Sequence, residues 1–322
     1  MKNEMVNELI GAMRERIPKG SNLANSLMEI LCMGKEAIYR RLRGEVAFTF
    51  EEVSLISQHL SISLDKIVGR RMLNDTMFDL NLLHTGDPIE SYYDILVRYT
   101  KLFDLLRDDP TASVATASNL IPFTFYSPYE CLSKFRLGRW IYHHGKMKPP
   151  ASLSDLQVPD KVPQMHWKLS ASIRQLSHTS FIWDYNIFRS IVKEIRYFAG
   201  LDLLSAEDVR NMKKELGLLL SELEAVTTTG EFSKGHSLAI YLSDINFEAT
   251  YTYVEKGDFQ TCLFRVYSIN SMDSQNPRMC NIQKNWIQSL KRHSTLISQS
   301  SEIQRRQFFN EQREIVESLQ EA

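Results

Sequence analysis

The first seventy residues are cut into five short apolar-periodic stretches by breakers only a few residues long. No other feature constrains the fold of this chain as strongly. Helices this short are marginal alone in water, so each must bury its apolar stripe against the others. The first covers 3–17, with Met5, Val6, Leu9, Ile10, Met13 and Ile17 at helical spacing, and Pro18-Lys19-Gly20 stops it. Ser21 or Asn22 can cap the second, whose inner face carries Leu23, Leu27, Ile30 and Leu31. Gly34 separates it from the third, which runs to Arg43 and has Gly44 placed as a C-cap. Thr49 and Glu52 stand at capping-box spacing before the fourth, where Val53, Ile56 and Leu60 point inward. A short fifth helix, capped by Ser63 and ended at Gly69, closes a compact bundle over 1–70, and 71–86 reads as a linker.

The third stretch carries the chemistry. In "GKEAIYRRLRGE" (34–45), Ile38 and Leu42 share one stripe, while Lys35, Glu36, Tyr39, Arg40 and Arg43 fall on or beside the outward side, and Arg41 adds to the concentration of positive charge. The Cys32-Met33-Gly34 turn is short enough to set this helix steeply against the one before it. A helix of this kind fits the major groove, where arginine addresses guanine edges with two hydrogen bonds and neighbouring basic groups hold phosphates. Residues 1–71 hold eleven Lys/Arg against nine acids, and the whole chain has a net charge of -1. DNA affinity must therefore rest on where the charges stand and on dimerisation, not on net charge.

The segment "GKEAIYRRLRGEVAFTFEEVSLISQHLSISLDKIVG" resembles the second half of an Xre/Cro-repressor-type helix-turn-helix domain. It has a recognition helix ending in Arg-Gly, a following helix that begins after Thr, and the closing helix "SISLDKIVG". The "YRRLRGE" variant is similar to regulators of this class of the Bacteroidetes type. "NLIPFTFYSPYECLSKFRLGRWI" and "STLISQSSEIQRRQFF" are similar to stretches of the larger domain, of unknown ligand, that follows in those proteins. The second helix departs from the family in lacking its Gln near the start and in carrying Leu27 and Met28 where a small Ala is usual. The resemblance implies a dimeric reader of double-stranded DNA. Its contacts would come from Lys35, Glu36, Tyr39, Arg40, Arg41 and Arg43 on the recognition helix and from Ser21 and Asn22 at the start of the helix before.

Beyond the linker, Asp87-Pro88 opens a helix whose Ile89, Tyr92, Leu96, Tyr99, Phe103 and Leu106 form a heptad seam, facing either a core or a second copy. "ASVATAS" reads as a short strand, and helices are expected over 129–143, 165–176, 182–199 and 205–225. The period then changes. "SLAIYLSDIN", "ATYTYVEKGD" and "QTCLFRVYSIN" are β-branched and aromatic, with a Lys256-Gly257-Asp258 turn between the last two. Helices resume from Met279 to the end. The expected fold is mainly α, with a five-helix bundle (1–70) and a helix-rich α+β domain (87–322) that holds a small antiparallel three-strand meander.

No window approaches the ~20 apolar residues of a membrane span, and acidic residues stand where an export signal would be apolar, so a cytoplasmic protein is expected. The cysteines Cys32, Cys131, Cys262 and Cys280 are scattered and read as free thiols. No nucleotide-loop, zinc-protease or nucleophile-elbow motif occurs. His143 and His144 are adjacent, and helix neighbours diverge by about 100°, a poor chelate. No catalytic set, metal or cofactor is expected. Alternation puts Tyr251 and Tyr253 on one sheet face and Thr250, Thr252 and Val254 on the other. Tyr241, Tyr251, Tyr253, Phe264 and Tyr267 are the candidate lining of an effector pocket, or else ordinary core. The expected function is a transcription regulator, not an enzyme, that binds double-stranded DNA as a homodimer and answers to a small-molecule or protein effector. The alternatives are a scaffold factor with a non-DNA-binding helix-turn-helix, or an enzyme fused to such a module.

Overall fold

Helices α1 (Lys2–Arg16), α2 (Leu23–Leu31), α3 (Lys35–Leu42) and α4 (Phe50–Leu60) follow the punctuation of the first seventy residues. The computed structural model describes residues 2–17, 22–60, 62, 64, 67, 78–81, 87–144, 152–246, 248–267 and 269–319. The chain divides into two units, Met1–Met77 and Phe78–Ala322.

In the first unit Leu9, Met13, Ala24, Leu27, Ile38 and Ile56 form one core, joined by Ile62 and Ile67. Asn22 caps α2, its Oδ1 accepting from the Ala24 N–H at 2.9 Å. The helix ends on Cys32 in the left-handed region, φ 52°, which turns the chain sharply into α3. Gly44 follows α3 at φ 78°. The Glu45 N–H donates to the Arg40 carbonyl at 2.9 Å and the Gly44 N–H to the Arg41 carbonyl at 3.0 Å, the paired bonds of a Schellman ending. The fifth helix expected after Ser63 falls mostly outside the described residues.

The second unit corrects the expected fold class. Its strands are β1 (Asp79–Asn81), β2 (Ser113–Ser118), β3 (His178–Asp184), β4 (Glu231–Ser233), β5 (His236–Ser243), β6 (Tyr251–Lys256), β7 (Phe259–Tyr267), β8 (Asn270–Ser274) and β9 (Ser294–Leu296). Among the described residues they form a mixed nine-stranded sheet, not a small meander, in the order β1-β8-β7-β6-β2-β3-β5-β4 with β9 also on β5. Strands β2, β3 and β5 are parallel neighbours. Two strands thus stand between β5 and β6, and the first pairing of the expected meander is not made. The β6–β7 hairpin is, across Gly257 at φ 52°. β1, inside the stretch read as a linker, pairs antiparallel with β8. β3 falls partly where a helix is expected, because Phe181-Ile182-Trp183 is buried without alternation. A central parallel strand covered on both faces reads as a continuous apolar run, which periodicity does not separate from helix.

Helices α5 (Pro88–Leu106), α6 (Phe123–Tyr126), α7 (Glu130–His144), α8 (Lys161–Arg174), α9 (Ile187–Ala199), α10 (Ala206–Thr229), α11 (Pro277–Arg292) and α12 (Glu302–Glu317) complete the unit. Val114, Phe181, Trp183, Ile240 and Val254 belong to the main core with residues of α5, α7, α8 and α10. Ala117, Ile182, Tyr253 and Cys262 turn the other way, onto Cys280, Ile287 and Leu290 of α11. The heptad seam of α5 faces the main core, where Tyr92, Leu96, Phe103 and Leu106 are all buried.

His166 of α8 is buried there, its Nε2 3.0 Å from the Tyr92 hydroxyl. Burial, and then the charge of Arg136, push its pKa from 6.5 down to about 3. The folded state keeps this ring neutral while the unfolded chain protonates it. The stabilisation is therefore complete above pH 6.5 and is lost progressively as pH falls from there toward 3. Between pH 7.5 and 5.0 the loss should be about 2 kcal/mol, read by urea unfolding of the second unit. His166→Gln should remove most of that pH dependence, and an equal loss in variant and parent would contradict this origin.

Candidate functional site

Ile38 is fully buried, and this fixes which side of α3 faces outward. Lys35, Glu36, Arg40 and Arg43 are exposed, and Tyr39 is half-buried with the Lys35 Nζ 5.9 Å from its ring centre. Arg41 is not part of that face, contrary to expectation. Its Nε and Nη2 donate to Glu52 Oε2 and Oε1 of α4 at 2.9 and 2.7 Å, and Nη1 donates to the Ala37 carbonyl at 3.3 Å. Glu52 Oε2 also accepts from the Thr49 N–H at 2.9 Å while Thr49 Oγ1 accepts from the Glu52 N–H at 3.2 Å. The expected capping box is thus made, and its carboxylate doubles as the anchor of Arg41. Hydrogen bonds from Arg41 hold the Glu52 carboxyl below its usual pKa.

The exposed face is a mixture of charges. Arg43 Nε lies 2.7 Å from Glu45 Oε1, its Nη2 lies 3.5 Å from Glu36 Oε1, and Arg40 Nε lies 3.5 Å from Glu45 Oε2. Three cations therefore share the face with two carboxylates. Exposed pairs of this kind are weak and exchange readily for a stronger anion. Asn22 spends its Oδ1 on the α2 cap, and Ser21 lies outside the described residues.

The aromatic face of the strands, read from sequence as pocket lining or as ordinary core, packs as core. Tyr253 is buried and donates its hydroxyl to Glu255 Oε2 at 2.9 Å. Tyr241, Tyr251 and Phe264 pack against the core under α11, with the Tyr251 and Phe264 rings edge to face. The Tyr267 side chain lies outside what is described. The Tyr-bearing face is core. The space lies on the opposite face of the same strands, against Thr250, Thr252, Val254, Leu263 and Arg265.

Two cavities meet there. One, of about 90 Å³, is walled mainly by apolar residues, among them Leu102, Phe103, Val114, Phe181 and Ile269. The other, of about 370 Å³, carries Asn119, Arg139, His143, Glu194 and Glu248. Arg136, Thr250 and Arg265 line both. Arg136 Nη1 donates to the Tyr126 hydroxyl at 3.1 Å, and its guanidinium carbon sits 4.2 Å over the Phe123 ring. Arg139 is paired with Glu194. Burial would raise the Tyr126 phenol, but the charges of Arg136 and Arg139 together hold it below its ordinary value. Burial, with the like charge of Arg136 adding, lowers both Arg139 and Arg265. These three arginines are absent from the sites expected from sequence. The available signal was charge on apolar stripes: Arg136 and Arg139 at i, i+3 in "KFRLGRW", and Arg265 inside "CLFRVY".

No family model, curated protein or solved structure matches the chain. Among the described residues, no helix is long and apolar enough to cross a membrane, and no group of three or more His, Cys, Asp or Glu could hold a metal.

Arg41→Ala should leave the Glu52 carboxylate with only the Thr49 N–H and no cation, and lower the stability of the first unit by about 1–2 kcal/mol, the smaller end reflecting solvent at its rim. Arg43→Ala should leave the unfolding midpoint unchanged. Equal effects of the two in denaturant titration would contradict the clamp.

Proposed function

We propose that the chain is a sequence-specific DNA-binding transcription regulator, with α3 in the major groove and the second unit dimerising, sensing an effector, or both. The observation that carries this reading is the division of α3. Ile38 and Arg41 fasten it to the bundle, and Lys35, Arg40 and Arg43 project from the free side around Tyr39. A rigid helix with adaptable cations on one face suits a groove whose base edges and phosphates both accept hydrogen bonds. Glu36 and Glu45 would then hold the arginines until phosphate replaces them. Such a regulator works on DNA inside the cell and needs no catalytic step.

One observation favours the second reading, a protein-interaction module. Phe50 at the start of α4 is 83% exposed, and the ion pairs of Glu36 and Glu45 dilute the basic face.

Selection from random duplex DNA at fixed salt separates the two. The regulator should enrich a two-fold symmetric site with half-sites about one helical turn apart, and Arg40→Ala/Arg43→Ala should abolish it. Glu45→Gln should strengthen binding, since a carboxylate no longer competes with phosphate. No enrichment, or an unaffected double variant, would contradict the reading.

A further inference from the structure

The two cavities of the second unit differ in character and share their cations. Among the described residues neither Arg136 nor Arg265 has a carboxylate partner, and the Arg265 side chain makes no hydrogen bond. The Arg136 Nε is buried and also without a partner. Arg139, the third guanidinium, has Glu194. Glu248 lines the polar cavity but is exposed. Fixing two unpaired guanidiniums inside a fold is costly unless an anion meets them. On the inner side of this pair lies an apolar chamber of about 90 Å³. An engineered cavity of about 150 Å³ takes benzene, so this chamber suits a short alkyl chain rather than a long one.

We propose that the second unit binds a small amphipathic carboxylate, its head group between Arg136 and Arg265 and its short apolar tail in the chamber walled by Leu102, Phe103, Val254 and Ile269. The head group accepts charge-assisted hydrogen bonds, bidentate where a guanidinium presents its fork. The tail supplies the apolar contact that a bare inorganic anion cannot make. Arg139, already neutralised by Glu194, flanks the head group and does not set its charge. The polar cavity, of about 370 Å³, is the side from which the head group is reached. Burial and the like charge of Arg136 work against the charge of Arg265. Arginine stays protonated in proteins, so that demand is met by an anion and not by loss of a proton. This site stands apart from DNA recognition, and its test uses no DNA.

The test is calorimetric titration of the full chain with hexanoate, hexanol and inorganic phosphate, together with butanoate and dodecanoate. Hexanoate should bind one to one, at least about tenfold tighter than hexanol or phosphate. Affinity should pass through a maximum near hexanoate, since the chamber holds only about 90 Å³. Arg265→Gln, which keeps most of the side-chain volume and removes the charge, should weaken hexanoate by at least about tenfold while the melting temperature stays within its parent's range. Hexanol or phosphate binding as tightly as hexanoate would overturn the proposal, and so would an Arg265→Gln variant that binds normally. The chain-length series on the parent protein decides the matter even if the variant fails to fold, because affinity rising without limit to dodecanoate, or no binding of any carboxylate at millimolar concentration, overturns it equally.

Discussion

Strands β2, β3 and β5 run parallel through the middle of the sheet, and their side chains are buried toward both helical layers. A parallel centre needs long connections, here α6 to α8 and then α9 with α10, which cover one face, while α11 covers the other. Charged side chains in such an interior survive only at a margin. Arg136, Arg139 and Arg265 occupy one, at the end of the main core where the helical layer leaves space. The cavity and its arginines are two aspects of one packing outcome.

Arg41 of the first unit and Arg136 of the second meet burial in opposite ways. In the first, Arg41 meets Glu52 with two hydrogen bonds, and the same carboxylate closes the cap of α4. That arrangement is self-sufficient and serves geometry, holding α3 against α4. In the second, Arg136 leans on a tyrosine hydroxyl and an aromatic face, neither of which cancels its charge. A satisfied pair is a structural device. An unsatisfied one is a place for a ligand.

Local signals read well and pairing signals did not. Residues such as Gly34, Gly44, Thr49 and Glu52 act within a turn of where they stand, so the limits of α2, α3 and α4 were legible. Strand β2 and the Gly257 hairpin were legible for the same reason. The sheet was not, since β5 pairs not only with neighbouring β4 but with β3 and β9, both far along the chain, and no local pattern encodes that distance. In the candidate site, alternation correctly split Tyr251 and Tyr253 from Thr250, Thr252 and Val254. Of the two readings of the aromatic face, lining or core, core holds, because large rings fill space while Thr beside Val leaves it. Arg41 escaped for a different reason. It stands three residues after buried Ile38, on the side of α3 that faces the bundle, and only the position of Glu52, eleven residues on, shows what it holds.

If α3 reads DNA as proposed, the chain is a responsive regulator only if that helix and the cationic cavity exchange free energy. An anion shifts DNA affinity only by its differential affinity for the arrangements the protein adopts, and the coupling is reciprocal. The most direct measurement is the affinity of a selected duplex, at fixed salt, with and without saturating hexanoate, for the parent chain and for Arg265→Gln. A change of at least about fivefold in the parent, absent in the variant, is expected. Equal affinities in the parent with the cavity demonstrably filled would contradict a sensing role and leave DNA binding and anion binding as unrelated properties of one chain.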